Sequence, residues 1–442
     1  MNLDILFCVT PHHDIEVPVI APAILNSIVK KNNYKTKMLD LNMSLFKQKD
    51  KIFKEHDKAW SKLDTLFLPS NNLLEDNKNY HLLIKQWTQD ILNYNPTYVA
   101  FSVLSSFNYW SIYYLSIQLK KSNPNIKIIV GGVSAYWFKI FMEQKKQFHL
   151  IDNIVIGYGE VEIINILKEK QLTQIIEQQN FEYIDNIIPD YSDINLRDYS
   201  KRILYLSTSR GCIYNCSFCQ VSQIWKKFLL RPVDHIIEEL LFMKNTYNIT
   251  DFKLTDSIIN AVLPNMRSLC NTLKDYNFTW DAMFSIRNKI MVENDYKLLK
   301  DAGCRLLLIG IESGSLQVRN HMGKTFTNQD VLQTLEYLNK YKIDVCLMFI
   351  VGYPTETMQD FVLTKDLINQ IKKKNYDINI SIRAQYIFLD NISRLKKYLD
   401  NKNFKDRFNR YNKLREYIST ENFKLKSDTR LKNWVDKLYK KK

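Results

Sequence analysis

The chain of 442 residues carries nothing that resembles a secretory or membrane signal. Its apolar start, "LDILFCVT" at residues 3–10, contains Asp4 and is far too short to span a bilayer or serve as a signal core. A cytoplasmic protein with no membrane partner is therefore expected. Cysteine is sparse at seven residues, and an odd count argues against a disulfide framework. Glycine is scarcer than usual at 10, while Lys, Asn and Ile are abundant throughout. That whole-chain bias weakens a nucleic-acid reading of the net charge of +15, from 62 basic and 47 acidic residues. Basic residues do gather in the last sixty positions with Tyr and Phe interleaved, where a solvated helical face is expected. No internal repeat or low-complexity segment stands out.

What is present is length, which exceeds one hydrophobic core and predicts two or three domains. Up to residue 175, apolar runs alternate with helical patterns, at 3–10, 35–41, 97–105, 126–132 and 153–160. Continuous apolar strands separated by helices predict a Rossmann-like parallel sheet domain over 1–175, with a helical insertion at about 43–95. Residues 176–200 read as a linker. A second series has strands at 203–209, 251–257, 279–286, 304–313, 344–352 and 378–389, with helices between them and Thr327 as one N-cap. The fold class expected is α/β: the Rossmann-like sheet, a partial (β/α)6 TIM-type barrel over 201–389, and a basic helical C-terminal segment over 390–442.

Three of the seven cysteines, Cys212, Cys216 and Cys219, lie in "RGCIYNCSFCQ". The other four, Cys8, Cys270, Cys304 and Cys346, sit in apolar surroundings and read as small buried hydrophobes. A structural zinc site wants four ligands, commonly with a second pair at matching spacing, and no such pair exists. His235 and Cys270 are possible fourth ligands, but His235 falls inside one helical pattern and Cys270 near the end of the next. A redox dithiol needs two cysteines, not three. Three thiolates can instead hold a 4Fe-4S cluster and leave one iron open for a small chelating ligand. Along the second series the strand ends carry Arg210, then Asp256 and Ser257, Ser285 and Arg287, Glu312 and Ser313, and Gly352 and Pro354. In an α/β barrel these ends face one cavity.

The motif "CIYNCSFC" resembles that of the radical S-adenosylmethionine (SAM) enzymes, whose open iron takes the amino and carboxylate groups of SAM. "FKLTDSIIN", "GIESGS" followed by "MGK", and "FIVGYPTET" are similar to segments of members with an N-terminal cobalamin-binding domain. The resemblance implies that Phe218 flanks the adenine, while Asp256, Ser257, Arg287 and Glu312 hold the ribose, amino and carboxylate groups of SAM. The usual Gly-Gly-Glu at the second strand is replaced by "TDS". In the first domain, strand ends with Ser102 and Ser105, Gly131 and Gly132, and Gly157 and Glu160 correspond to the wrapping of the cobalamin nucleotide tail. The Asp-x-His-x-x-Gly motif is absent. The loop "PHHDIEVP" offers His12 and His13, for which a solvated loop position is the plainer expectation.

The implied enzyme cleaves SAM reductively to a 5'-deoxyadenosyl radical and, with cobalamin as a further cofactor, transfers a methyl group to an unactivated carbon. Its partners would be a small-molecule or biosynthetic-intermediate substrate and an electron donor such as flavodoxin or ferredoxin. One alternative is a radical SAM enzyme without cobalamin, performing rearrangement, oxidation or methylthiolation. Another is a basic nucleic-acid-binding protein with a structural metal site.

Overall fold

The structure, a computed structural model, describes residues 2–52, 78–170, 173–177, 186–225, 227–387, 404–420 and 424–425. These fall into two compact units that divide between Tyr205 and Leu206.

The first unit is a parallel sheet of β1 (Leu3–Val9), β2 (Thr36–Asp40), β3 (Pro96–Ser102), β4 (Lys127–Gly131), β5 (Asn153–Ile156) and β6 (Ile175–Glu177), ordered β2-β1-β3-β4-β5-β6. Six of the seven β1 residues are buried, as a strand covered on both faces requires. Strand order reverses between β1 and β3, so the loops after these two strands flank the switch-point crevice of the sheet. Strand β6 was not anticipated, because three residues carry no readable period. The expected insertion begins and ends as the helices Leu41–Ile52 and Lys78–Leu92, and residues 53–77 lie outside the described residues. Residues 186–200, read as linker, pack on this unit: Asp190 accepts from Lys30 at 2.6 Å, Asp193 from Asn26 at 3.0 Å, and Tyr199 donates to Asp40.

The second sheet is made of β7 (Ile203–Leu206), which runs across the division, and then β10 (Asp251–Leu254), β11 (Thr279–Phe284), β12 (Cys304–Glu312), β13 (Asp344–Val351), β14 (Ile380–Tyr386) and β15 (Lys424–Leu425), in chain order. Pairing from β10 to β15 is parallel, as in a (β/α) barrel left open at its edges. The short antiparallel hairpin of β8 (Ser209–Arg210) and β9 (Leu229–Leu230) stands apart. Thr327 caps the helix Asn328–Lys340, its Oγ1 accepting from Asp330 N at 3.1 Å. Cys8, Cys270, Cys304 and Cys346 are all buried.

Within the basic C-terminal stretch the one described helix has an exposed face with Asp406, Asn409, Lys413 and Glu416, and opposite it a buried stripe that includes two arginines. This helix, Phe404–Thr420, buries Arg407, Arg410, Tyr411, Leu414 and Ile418 along that stripe. Arg410 Nε donates to Glu356 Oε2 at 3.0 Å and its Nη2 to the Glu356 carbonyl at 3.1 Å. The same carboxylate accepts from Gly352 N at 2.8 Å, so the helix is locked to the turn after β13. Among the described residues no helix is long and apolar enough to cross a membrane. Arg410→Met should lower stability by about 3–5 kcal/mol in urea denaturation, because it leaves a buried carboxylate without its cation. Adding Glu356→Gln should recover part of that loss.

Candidate functional site

The three cysteines sit on the loop of the β8–β9 hairpin. Gly211 opens this loop at φ +78°, and a Cβ there would overlap the carbonyl oxygen of Lys227 across the hairpin. The strand leading into it is anchored by Asp256. Its buried carboxylate accepts from Thr208 N at 3.0 Å, from Thr208 Oγ1 at 2.6 Å and from Ser209 Oγ. Burial raises the Asp256 carboxyl above its ordinary range against these bonds. Asp256, expected to hold part of a ligand, is thus committed to the chain itself, while its neighbour Ser257 is half-buried at the strand end.

Within the loop, Tyr214 N donates to Cys212 Sγ at 3.4 Å, and Cys219 N to the Cys216 carbonyl at 3.1 Å. Burial pushes the Cys216 thiol up to about 11, with Cys219, Glu312 and Cys212 adding to the rise and Lys324 opposing it. Cys219 is raised by burial and by the same negative neighbours. The three sulfurs, one carboxylate and one ammonium thus lie within each other's fields. Among the described residues, no three His, Cys, Asp or Glu side chains gather as they would around a single ion. A four-iron cubane asks for something different, one thiolate on each of three irons, and a half-buried three-thiol loop with a cation beside it fits that demand.

The loop is seamed to the helix Leu316–Met322 and to the turn after β13. Ser217 N donates to the Met322 carbonyl at 3.1 Å, and Ser217 Oγ to the His321 carbonyl at 3.2 Å. The Tyr353 hydroxyl shares bonds of 2.7 Å with both Ser217 Oγ and His321 Nδ1. Phe218 packs against a small core of Val318, Met322, Ile350, Tyr353 and Ile387. Gly323 ends the helix at φ +88°, where a Cβ would come 3.8 Å from Cys216 Cα.

Beyond it the half-buried Lys324 donates from Nζ at 2.8 Å both to Glu312 Oε1 and to the Gly310 carbonyl. Burial works to lower this ammonium, but Glu312 and the thiols of Cys216 and Cys219 outweigh it and hold it above its ordinary range. Room for the pair comes from Gly310, where a Cβ would overlap Glu312 Oε1 and lie 2.7 Å from Lys324 Nζ. Glu312 itself takes a left-handed backbone, φ +67°, at a break in the β12–β13 register.

Lys324, Ser285 and Arg287 line a cavity of about 180 Å³ together with Tyr214, Asn288 and Phe326. Arg287 Nη1 donates to the carbonyls of Asn260 and, at 2.6 Å, Ala261, which fixes the guanidinium at the cavity wall. Ser285 is held by its backbone, its N–H donating to Asn260 Oδ1 at 3.1 Å. Ser313 is not at the cavity. It is fully buried, its Oγ accepts from Ser315 N at 3.1 Å and lies 3.3 Å from Thr364 Oγ1, and the next hydroxyl, Ser315 Oγ, donates to Asp360 at 2.6 Å. Gly352, at φ +78°, serves the turn that Glu356 closes.

In the first unit, Ser102 and Gly131 end their strands, and Ser105 Oγ accepts from Phe107 N at 3.4 Å. Gly132 (φ +117°) brings the chain so near β3 that a Cβ would lie 2.5 Å from Val103 O. Gly157 is also left-handed, at φ +107°, and Glu160 begins the helix Glu160–Leu167 as a buried residue. Asn108 and Ser111, not anticipated from sequence, join the two switch-point loops: Asn108 Nδ2 donates to Thr10 O at 2.8 Å and Ser111 Oγ to Pro11 O at 3.0 Å. His12 and His13 are not solvated as expected. Burial, with His13 beside it, takes His12 down to about 3. Burial also lowers His13, whose Nδ1 lies 2.7 Å from the Asp14 carbonyl.

The site is thus an open parallel barrel with a three-thiol loop at the carboxyl ends of its strands. The sequence profile described as the Radical SAM superfamily matches residues 206–368. That match marks a radical SAM domain within the chain and supports its being an enzyme. It is 25% identical over 299 residues to an uncharacterized methyltransferase of Pyrococcus horikoshii, covering 62% of this chain and 64% of that one, under two thirds of its length. The fold is shared with the radical SAM methyltransferase TsrM of Kitasatospora setae, solved with cobalamin and a [4Fe-4S] cluster (TM-score 0.64, 15% identity, 89% of this chain and 77% of that one). It is shared equally with the cobalamin-dependent radical enzyme OxsB, solved with aqua-cobalamin (TM-score 0.64, 18% identity, 91% of this chain and 56% of that one).

Asp256→Ala strands three donors at the root of the cysteine loop. The expected cost is about 1–3 kcal/mol in urea denaturation, with faster proteolysis between residues 211 and 228 as the local sign.

Proposed function

We propose that this protein is a cobalamin-dependent radical SAM methyltransferase that acts on an unactivated carbon of a small-molecule or biosynthetic-intermediate substrate. The observation that carries the reading is the three-cysteine loop seamed to a barrel mouth whose cavity is lined by Arg287 and by Lys324, the latter held by Glu312. Bound there, a 4Fe-4S cluster would supply the electron that cleaves SAM, and cobalamin would supply the methyl group.

The chain's own residues account for the rest. Cys212, Cys216 and Cys219 would hold the cluster through three of its irons, with the fourth open to the amino acid end of SAM. Arg287, steadied by two carbonyls, suits a carboxylate, and the Glu312 carboxylate suits an ammonium or ribose hydroxyls. Phe218, half-buried on the same loop, is the aromatic residue that would flank the adenine. Ser102, Ser105, Gly131, Gly132, Gly157 and Glu160 border the strand ends of the first sheet, and the glycine backbones permit a close approach by the tail of a large cofactor. A soluble one-electron donor such as flavodoxin or ferredoxin would serve the cluster.

A second reading, a radical SAM enzyme whose first unit holds substrate in place of cobalamin, draws on the missing Asp-x-His-x-x-Gly motif. Reconstituted without air, the wild-type chain should bind about four irons and, with SAM and dithionite, release 5'-deoxyadenosine or S-adenosylhomocysteine. Cys212→Ala should lose most of the iron and all product. No product from wild type, or unchanged iron in the variant, would overturn the radical SAM assignment for this chain. A purified complex with no cobalamin absorption after loading would favour the second reading.

A further inference from the structure

We propose that Glu312 and Lys324 form a charge pair that sets the reduction potential of the cluster, its two members acting in opposite directions. This rests on the reading that Cys212, Cys216 and Cys219 hold a 4Fe-4S cluster, and adds to it a function for residues outside the ligand set.

The pair is built, not incidental. Lys324 Nζ is fixed by two bonds of 2.8 Å, to the Glu312 carboxylate and to the Gly310 carbonyl. Side-chain exposures of 17% for Lys324 and 9% for Glu312 keep both charges largely out of water, where their fields are weakly screened. Position is set by backbone. The helix Leu316–Met322 ends against the loop, with the Met322 carbonyl on Ser217 N at 3.1 Å and Gly323 packed toward Cys216, so Lys324 follows one residue later. Space for the pair depends on the bare Cα of Gly310.

Reduction adds one electron to an already anionic cluster, and no bond of the protein forms or breaks. A neighbouring cation stabilises the reduced state and a neighbouring anion destabilises it. Paired, the two charges largely cancel. Removing Lys324 exposes the cluster to the bare carboxylate, and removing the Glu312 charge exposes it to the bare ammonium.

The test is a dithionite-poised potentiometric titration of the reconstituted full chain without SAM, followed by the electron paramagnetic resonance signal of the reduced cluster. Lys324→Met should move the potential more negative and Glu312→Gln more positive, with the double variant between them and Lys324→Arg close to wild type. A residue that only supports the fold would move both single variants the same way or neither. Shifts of one sign, or none, in variants with full iron content would overturn the proposal while leaving the cluster assignment intact. If Lys324→Met fails to hold iron, Glu312→Gln and Lys324→Arg decide alone: a positive shift in the first with none in the second supports the pair, and any other pattern rejects it. A wild-type chain that takes up no iron would reject the cluster reading and the pair together.

Discussion

The ammonium of Lys324, pinned between a carboxylate and a carbonyl, is the constraint around which the second unit is arranged. To place it there the chain uses glycine at 310, a left-handed glutamate at 312 and a left-handed helix terminus at 323. A non-glycine residue in that region costs on the order of 1–3 kcal/mol. The cost is offset by the Glu312–Lys324 bond and by the turn that follows, where Ser313, Gly314 and Ser315 dock onto Thr364 and Asp360. Asp360, held below the ordinary carboxylate range by Ser315 and Thr357 against its burial, contributes its stability above the unfolded value of about 3.9 and loses it as pH falls through the lower folded value.

Much of this architecture is legible in the sequence, because strands covered on both faces must be continuously apolar and six of them recur between helical patterns. Their spans fall within a few residues of the observed ones. The cysteine loop is legible too, since thiol spacing is local. What sequence does not carry is which polar strand-end residue faces a ligand and which serves the chain. Asp256, Ser313 and Gly352 look identical in kind to Arg287 until the third dimension shows Thr208, Thr364 and Glu356 beside the first three and a cavity beside the last. Strands β6 and β15, of three and two residues, are too short for any periodic signal.

Composition tells only half of the C-terminal helix. A run rich in Lys and Arg reads as a solvated face, yet Arg407, Arg410, Tyr411, Leu414 and Ile418 recur at helical spacing and are buried. The signal lay in that period and not in the charge. In the first unit the reverse holds. His12 and His13 sit in a polar loop, but the clamp of Asn42 on both backbone groups of His13 and the reach of Asn108 and Ser111 to the same loop draw it inward.

The seam between Ser217, Tyr353, His321 and Met322 has a bearing on how such a loop can be inherited or moved. Its hydrogen bonds reach from the cysteine motif to residues more than a hundred positions downstream. The motif is therefore not a portable cassette. A transplant into another barrel would have to bring the helix after the fourth barrel strand and the tyrosine after the fifth, and recombination between parents would succeed only at crossovers that keep all three together.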